Sequence, residues 1–294
     1  MGGTKKVTKA IIPVAGLGTR MLPASKAIPK ELLPILNKPI IQYVVEEAIE
    51  AGINQIIFIT NSNKEAIENH FDSNFYLESS LEKNKKKKLL NSVKDIIPRK
   101  VSIASIRQNK PLGLGDAIFK ASKFINEEPF AVLLPDEYLF QNSSKSDLKK
   151  MIENYYSSGE GQVLVEKIPS KNSKNYGIVD FFPKRKNSIK LLRISKFKEK
   201  PKIIKSKFTH RIIGRYILPY EIMSFLSKAS PSRNGEIQLT SSLQDLISSD
   251  IMLNAMVSFS DVFDCGSIDG FLKANVALAS KDPKMKKILK ELLD

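Results

Sequence analysis

"AIIPVAGLGTRMLPASKAIPKELLPI", residues 10–35, decides how the chain reads. Its first six residues form an apolar run that predicts a buried strand. The run feeds directly into Gly16-Leu17-Gly18-Thr19-Arg20, and cations and prolines follow at close intervals. A strand, a glycine-rich turn and basic side chains together predict an anion site. Two familiar phosphate loops are excluded. Met21 stands where a dinucleotide fingerprint needs its third glycine, and no Gly-Lys-Ser/Thr closes a P-loop. Gly16 and Gly18 remove side chains, so that backbone at Ala15–Thr19 can approach a ligand. Arg20 then offers a forked cation and Lys30 a point-like one.

Working outward, strands and helices alternate. "PIIQYVVEEAIEAG" predicts a helix with Pro39 at its start and Gly52 as its stop. "QIIFIT" and "VSIASIR" predict strands, "NSNKEAIENHF" a capped helix, "GDAIFKASKFI" a helix, and "FAVLLP" a buried strand ending at Asp136. This rhythm implies an α/β fold, with a mixed, mostly parallel central sheet flanked by helices. Ligands of such sheets sit beyond the carboxyl ends of the strands. After residue 160 the rhythm loosens. "GQVLVEKI", "YGIVDFF", "IKLLRISKF", "HRIIGRYIL" and "MLNAMVSF" predict strands with antiparallel-style turns, and "EIQLTSSLQDLISS" a helix. "IDGFLKANVALAS" and "PKMKKILKELLD" predict closing helices. With no repeat and no proline- or glycine-rich linker, residues 1–294 read as one domain: a first half over about 9–160, a smaller β-rich half over about 161–265, and C-terminal helices over about 266–294.

The 294 residues carry 47 Lys and Arg against 31 Asp and Glu, a formal charge of +16. A nucleic-acid or membrane-surface partner is one reading of that excess. We favour a lysine-rich surface, because the excess is mostly lysine spread along the chain. The densest run, "EKNKKKKLL" at 82–90, also lacks interleaved aromatics for stacking bases. No apolar run spans a bilayer, the N-terminus lacks the apolar centre of a secretory signal, and a single cysteine, Cys265, excludes an internal disulfide. A cytoplasmic protein is expected. His70 and His210 belong to no metal or nucleophile spacing and read as structural.

Further motifs point the same way. In "RQNKPLGLGDA", Gln108 carries one acceptor and two donors that match the O4 and N3–H edge of uracil, and Gly113 and Gly115 would let backbone lie against a base. In "LLPD", Asp136 closes a buried strand, a good place for a carboxylate that holds a cation. "FKEKPK" alone reads as a solvated charge run.

Taken in order, "AGLGTRMLP", "KAIPKELLP", "RQNKPLGLGDA", "LLPD", "YGIV", "KEKP", "GRYIL", "GEIQLT" and "DCG" resemble the bacterial UTP–glucose-1-phosphate uridylyltransferases, from about Lys9 to about Leu292. The resemblance implies a Rossmann-like nucleotidyltransferase fold whose β-rich part binds sugar. It implies that Ala15, Gly16, Gly18, Thr19, Gln108 and Gly113 bind the nucleotide, and that Asp136 binds Mg2+, with Asp264 as a second ligand by looser analogy. Glu199 and Lys200 would bind the sugar phosphate, with Gly177 and backbone around Ile213-Gly214-Arg215 finishing the sugar pocket. Arg20, Lys30 and Lys200 would be catalytic, and the assembly a homodimer or homotetramer. Three positions depart from the family pattern: Asp116 stands where His is usual, Ser241 where Asp is usual, and Ile268 where Lys is usual.

The implied reaction joins glucose 1-phosphate to UTP and releases pyrophosphate. A phosphate monoester has its second pKa near ~6, so the attacking oxygen is already ionised and no general base is needed. The obstacle is repulsion between polyanions, which cations overcome. The same chemistry with another base, as in thymidylyl- or adenylyltransferases, stays open at this stage, as does a weakly active regulatory paralogue.

Overall fold

The computed structural model describes residues 4–141, 146–183, 192–204, 206–232 and 234–293. Among these, nine strands form one sheet, in the order Ser102–Arg107, Gln55–Thr60, Lys9–Pro13, Phe130–Leu133, Phe208–Leu218, Gly161–Pro169, Leu253–Val257, Leu192–Glu199, Gly177–Phe181. The first four pair in parallel. Phe208–Leu218 then enters antiparallel between Phe130–Leu133 and Gly161–Pro169, and the far edge is antiparallel apart from the parallel pairing of Leu253–Val257 with Gly161–Pro169. The change of strand direction follows the change of rhythm near residue 160.

Side chains alternate across the sheet and feed two apolar layers. Ile11 packs on one side, with Ala117 and Ile118 of the helix Leu114–Lys120 and Leu243 of the helix Leu239–Ser248. Ala10 and Ile12 pack on the other, with Ile41 and Val44 of the helix Ile40–Glu50 and Met151 of the helix Asp147–Ser158. A strand buried on both faces reads as an apolar run, as Ala10-Ile11-Ile12 does here.

Some local structure differs from the expectations. The helix predicted from "GDAIFKASKFI" is two short helices, Leu114–Lys120 and Ser122–Ile125, meeting at Ala121. The helix Glu65–Phe71 has no side-chain cap, because Lys64 stands at its N-cap position and its side chain has no acceptor; the Asn61 Oδ1 accepts from the Asn63 N–H, 2.9 Å, in the turn before it. The strand predicted from "IKLLRISKF" is seen as Leu192–Glu199, its earlier residues lying outside the described ones. The lysine run sits on the exposed helices Phe75–Lys83 and Lys87–Lys94.

A small antiparallel pair, Glu137–Phe140 with Asp261–Asp264, was not foreseen. It places Glu137 opposite Asp264. Tyr138, Phe140 and Cys265 fix it on a third apolar cluster with Ile35, Ile40 and Ala274. This pair is what brings the "LLPD" and "DCG" motifs together.

Candidate active site

The carboxyl ends of the parallel strands open into a cavity of about 820 Å³ that runs from Arg20 and Asp136 to Glu199 and Lys200. Of the glycine turn only Arg20 lines this cavity; Ala15, Gly16, Gly18 and Thr19, like Lys30, Gln108 and Gly113, are not among its lining residues. Gly18 takes φ 70°, its carbonyl accepts from Ser25 Oγ at 2.7 Å, and a short helical turn, Thr19–Met21, presents Arg20. The Asn61 amide donates to the Ala15 carbonyl, 2.8 Å, and so ties the turn to the end of the neighbouring strand.

Two cations and two carboxylates meet at the turn. Lys30 Nζ is 2.5 Å from Asp136 Oδ2, and Arg20 Nη1 is 2.9 Å from Asp264 Oδ2, with Nη2 3.8 Å from Asp136. Burial alone would raise the Asp136 pKa, but Lys30 and then Arg20 outweigh it and hold the carboxyl below its usual range. Burial pulls Lys30 down, yet Asp136 and Glu31 lift it above the ordinary lysine value. For Arg20, burial is likewise outweighed by Asp264 and Asp136, and the net shift is upward. Arg20, Lys30 and Asp136 are therefore charged at neutral pH.

Gly266 leaves the space in which they meet. A Cβ there would stand 2.6 Å from Arg20 Nη2, 2.9 Å from Asp136 Oδ2 and 3.1 Å from Asp264 Oδ1. The two carboxylates thus face one small gap, a donor set of hard oxygens that fits Mg2+. That ion needs only one or two carboxylates and completes its shell with water and substrate phosphates. No cluster of three or more His, Cys, Asp or Glu ligands occurs among the described residues.

The far wall joins Gly177, Glu199 and Lys200. Glu199 Oε2 accepts from Thr240 Oγ1, 2.8 Å, while Oε1 lies 3.7 Å from Lys200 Nζ. Lys200 has a positive φ of 40°, a backbone bend that projects it beside the cavity. Gly177 leaves just enough room: a Cβ there would be 3.1 Å from Ile212 and 3.2 Å from Thr240. Thr240, Tyr176 and Lys174 also line the space and were missed in the sequence. The "GEIQLT" and "YGIV" motifs around them were the available signal.

Two expectations change. Ile213 is fully buried in the core layer opposite the cavity, and its neighbours Ile212 and Gly214 line the space instead. Strand alternation makes this unavoidable. Gln108, 6 % exposed, uses its amide nitrogen inside the protein, donating to Asp116 Oδ2 at 2.8 Å and to the Gly113 carbonyl at 3.1 Å. Only its oxygen is left for a ligand, so the side chain matches an N3–H and not an O4. The clearance at Gly113 and Gly115 is also used internally. A Cβ would lie 2.8 Å from Glu236 Cβ in the first case and 2.7 Å from Ile237 Cγ2 in the second.

Other candidates fall outside the site. His70 Nε2 is 3.0 Å from Gln42 Oε1, and His210 stands edge-on to Phe181. Cys265 is buried, and burial pushes its thiol up to about 12. Behind Lys30, Glu31 is 1 % exposed and pairs with Lys64 Nζ at 2.7 Å, a contact the sequence did not reveal.

A glycine turn, paired cations and two carboxylates at strand ends define a protein that handles phosphate groups. A family model described as nucleotidyl transferase matches residues 9–281. The UTP–glucose-1-phosphate uridylyltransferase of Haemophilus ducreyi is 41% identical over 291 residues, which cover 97% of this chain and 98% of that one. The Escherichia coli K12 protein of the same name is 42% identical over 274 residues, 92% of this chain and 90% of its own. Among solved structures, a UTP-bound UGPase from Acinetobacter baumannii superposes with a TM-score of 0.89 at 41% identity, covering 98% of both chains. A UDP-glucose pyrophosphorylase complexed with UDP-glucose gives 0.82 at 34%, covering 94% of this chain and 100% of the other. The chain belongs to the nucleotidyl transferase family, among its UTP–glucose-1-phosphate uridylyltransferases.

Proposed function

We propose that the protein makes UDP-glucose and pyrophosphate from UTP and glucose 1-phosphate, by in-line attack of the sugar phosphate on the α-phosphorus with Mg2+ as cofactor. The observation that carries this reading is the single cavity joining the Arg20, Asp136 and Asp264 corner to Glu199 and Lys200. Relatives that bind UTP and UDP-glucose share its fold.

Arg20 takes the β- and γ-phosphates and steadies the departing pyrophosphate. Lys30 meets the oxygens around the α-phosphorus. Lys200 grips the attacking phosphate, and the Glu199 carboxylate accepts hydrogen bonds from sugar hydroxyls, its geometry fixed by Thr240. The glycine turn at Ala15, Gly16, Gly18 and Thr19 brings backbone close to the nucleotide, Gly113 shapes the loop beside Gln108, and the Gln108 oxygen accepts from the uracil N3–H. Asp136 and Asp264 hold the Mg2+. The ion neutralises phosphate charge and polarises phosphate oxygens when bound. Without ligands the two carboxylates are balanced by Arg20 and Lys30. Substrate phosphates give those cations new partners and release the carboxylates, so charge is exchanged and not buried bare. The ionised nucleophile needs no base, and neither histidine lines the cavity.

The sheet runs without interruption through both halves, which supports one domain with a nucleotide-facing and a sugar-facing part. For oligomerisation, Ile268, Leu272 and Val276 recur at helical spacing on the helix Ile268–Ala279 and are 65%, 61% and 43% exposed, a stripe suited to a second copy in a homodimer or homotetramer. No described helix is long and apolar enough to cross a membrane. A cytoplasmic protein without a nucleic-acid partner fits the dispersed lysine excess.

The test is pyrophosphate release from a panel of nucleoside triphosphates with glucose 1-phosphate, with and without Mg2+. Turnover with UTP only, and only with the metal, is expected. Turnover with another base, or none with UTP, overturns the reading.

A further inference from the structure

Among the described residues, the largest fully buried side chain is a charged one, Arg215. It lies behind the active site on the strand Phe208–Leu218, in the core layer opposite the cavity. Its side chain is 0 % exposed, and its carboxylate partner, Glu47 of the helix Ile40–Glu50, is 7 % exposed. All of its N–H groups are used. Nε and Nη2 donate to the Glu47 carboxylate at 3.0 and 2.8 Å. Nη1 donates to the carbonyls of Leu134 and Gly214, both 3.0 Å, and Nη2 also donates to the carbonyl of Glu137, 2.9 Å.

Leu134 and Glu137 bracket Asp136. The segment is held from the other side as well: the Leu134 N–H donates to the Gly214 carbonyl and the Cys265 N–H to the Asp136 carbonyl, both 2.8 Å. The Glu137 carboxylate accepts from Arg211 Nη1 at 2.9 Å and from the Gly214 N–H. The Gly214 backbone holds both ends of the segment from the strand, and Arg215 grips both ends through a single side chain, whose fork Glu47 fixes in place. A lysine could not reproduce this, since its donors radiate from one point and lack the planar fork.

We propose that Arg215, held by Glu47, is a positioning residue: its guanidinium fixes the Leu134–Glu137 segment and thereby the aim of the Asp136 carboxylate toward the reacting phosphates. This rests on the functional reading above. A displacement of about 1 Å in such a group can cost about 10²-fold in rate, which is why a rigid anchor in the core matters to a site at the surface.

A purely structural role is the competing explanation, and the two separate in the double variant E47L/R215M. Replacing both members of a buried pair by apolar residues of similar size commonly leaves stability intact. It also removes the clamp. The expected result is a folded protein whose melting temperature falls only by the cost of leaving the Leu134 and Glu137 carbonyls without this donor, less than breaking one partner of the pair alone. Amide hydrogen exchange over residues 134–138 in the ligand-free protein should be about tenfold faster, and kcat about 10- to 100-fold lower, with KM for UTP changed less than about threefold. A folded double variant with unchanged exchange and unchanged kcat overturns the proposal. If the double variant does not fold, E47Q is read by the same measurements. It keeps the fork but loosens its anchor, so a smaller acceleration of exchange together with a lower kcat supports the clamp, and unsubstituted values for both overturn it. Turnover by the unsubstituted protein is the control: if that is missing, the functional reading fails and not the clamp.

Discussion

Two arginine–carboxylate arrangements stand on opposite sides of the Leu134–Glu137 segment. At the cavity, the Arg20 side chain is 59 % exposed, pairs with Asp264 and shares Asp136 with Lys30. In the core, Arg215 is fully enclosed with Glu47. The chemistry of the pairs is the same, and the surroundings assign different work. The outer pairs can exchange partners with solvent, substrate and metal, so they suit binding and release. The inner pair cannot be separated without leaving a bare buried charge, so it suits holding. The comparison predicts that damage to the inner pair is read first as stability, and damage to the outer group as rate.

The largest effect should come from breaking the inner pair on one side only. Arg215→Ala leaves Glu47 uncompensated and is expected to cost about 3–5 kcal/mol of stability, measured by urea unfolding. A loss below about 1 kcal/mol would show that Glu47 finds water or protonates without penalty. Arg20→Ala should do the reverse. It should leave the unfolding midpoint close to its original value and lower kcat by about 10²- to 10³-fold, the usual scale for removing one donor aimed at transition-state charge. If Arg20→Ala proved mainly destabilising, the division of labour between the two pairs would be wrong.

Next comes the sugar side. Glu199→Gln keeps the shape but loses the charge that accepts from Thr240 and from sugar hydroxyls. Hydrogen bonds to a charged group are worth about 1.5–3 kcal/mol, so kcat/KM for glucose 1-phosphate should fall about 10- to 100-fold while KM for UTP moves little. Equal losses for both substrates would place Glu199 outside the sugar half. A subtler effect is expected at the base. Asp116→Ala frees one donor of the Gln108 amide. The carboxamide can then rotate, and discrimination between uracil and cytosine triphosphates should weaken by less than about tenfold. Unchanged discrimination would show that the Asp116 contact does not hold Gln108 in register.

The two arrangements also differ in how far they could be read from the chain. The glycine turn and the strand before it were legible because a strand buried on both faces has to be continuously apolar, and because a strand-to-turn transition followed by cations has few other uses. Arg20, Lys30 and Asp136 were therefore found from local pattern and resemblance. The meeting of Asp136 with Asp264 was not derivable locally, since it depends on the pairing of Glu137–Phe140 with Asp261–Asp264, two short strands far apart in sequence. Arg215 was visible in "GRYIL" but was read as backbone of the sugar pocket. The strand period held the correction: Ile212, Gly214 and Tyr216 share the cavity face, so Ile213 and Arg215 must point into the core. A charged side chain on a core-facing position demands a buried partner, and only the fold shows that Glu47, from a helix read simply as amphipathic, supplies it.

The smallest expected effect lies at a titrating group remote from both pairs. His70 sits on the helix Glu65–Phe71, with Nε2 at 3.0 Å from Gln42 Oε1 and its ring edge-on to Phe71. Burial lowers its pKa from the usual 6.5. The folded protein therefore holds the imidazole neutral at a pH where the unfolded chain already binds a proton. Stability contributed at this position is complete above the unfolded value, declines as the pH falls below it, and stops declining once the folded value is passed. Urea midpoints measured from pH 8 to pH 5 should thus show a shallow fall on the acid side that His70→Asn reduces, the rest belonging to His210, whose pKa burial and Lys167 also lower, while kcat of the variant at pH 8 stays unchanged. A slope left undiminished by the substitution would assign the acid sensitivity to other groups, with His210, whose pKa is likewise lowered, the first to examine.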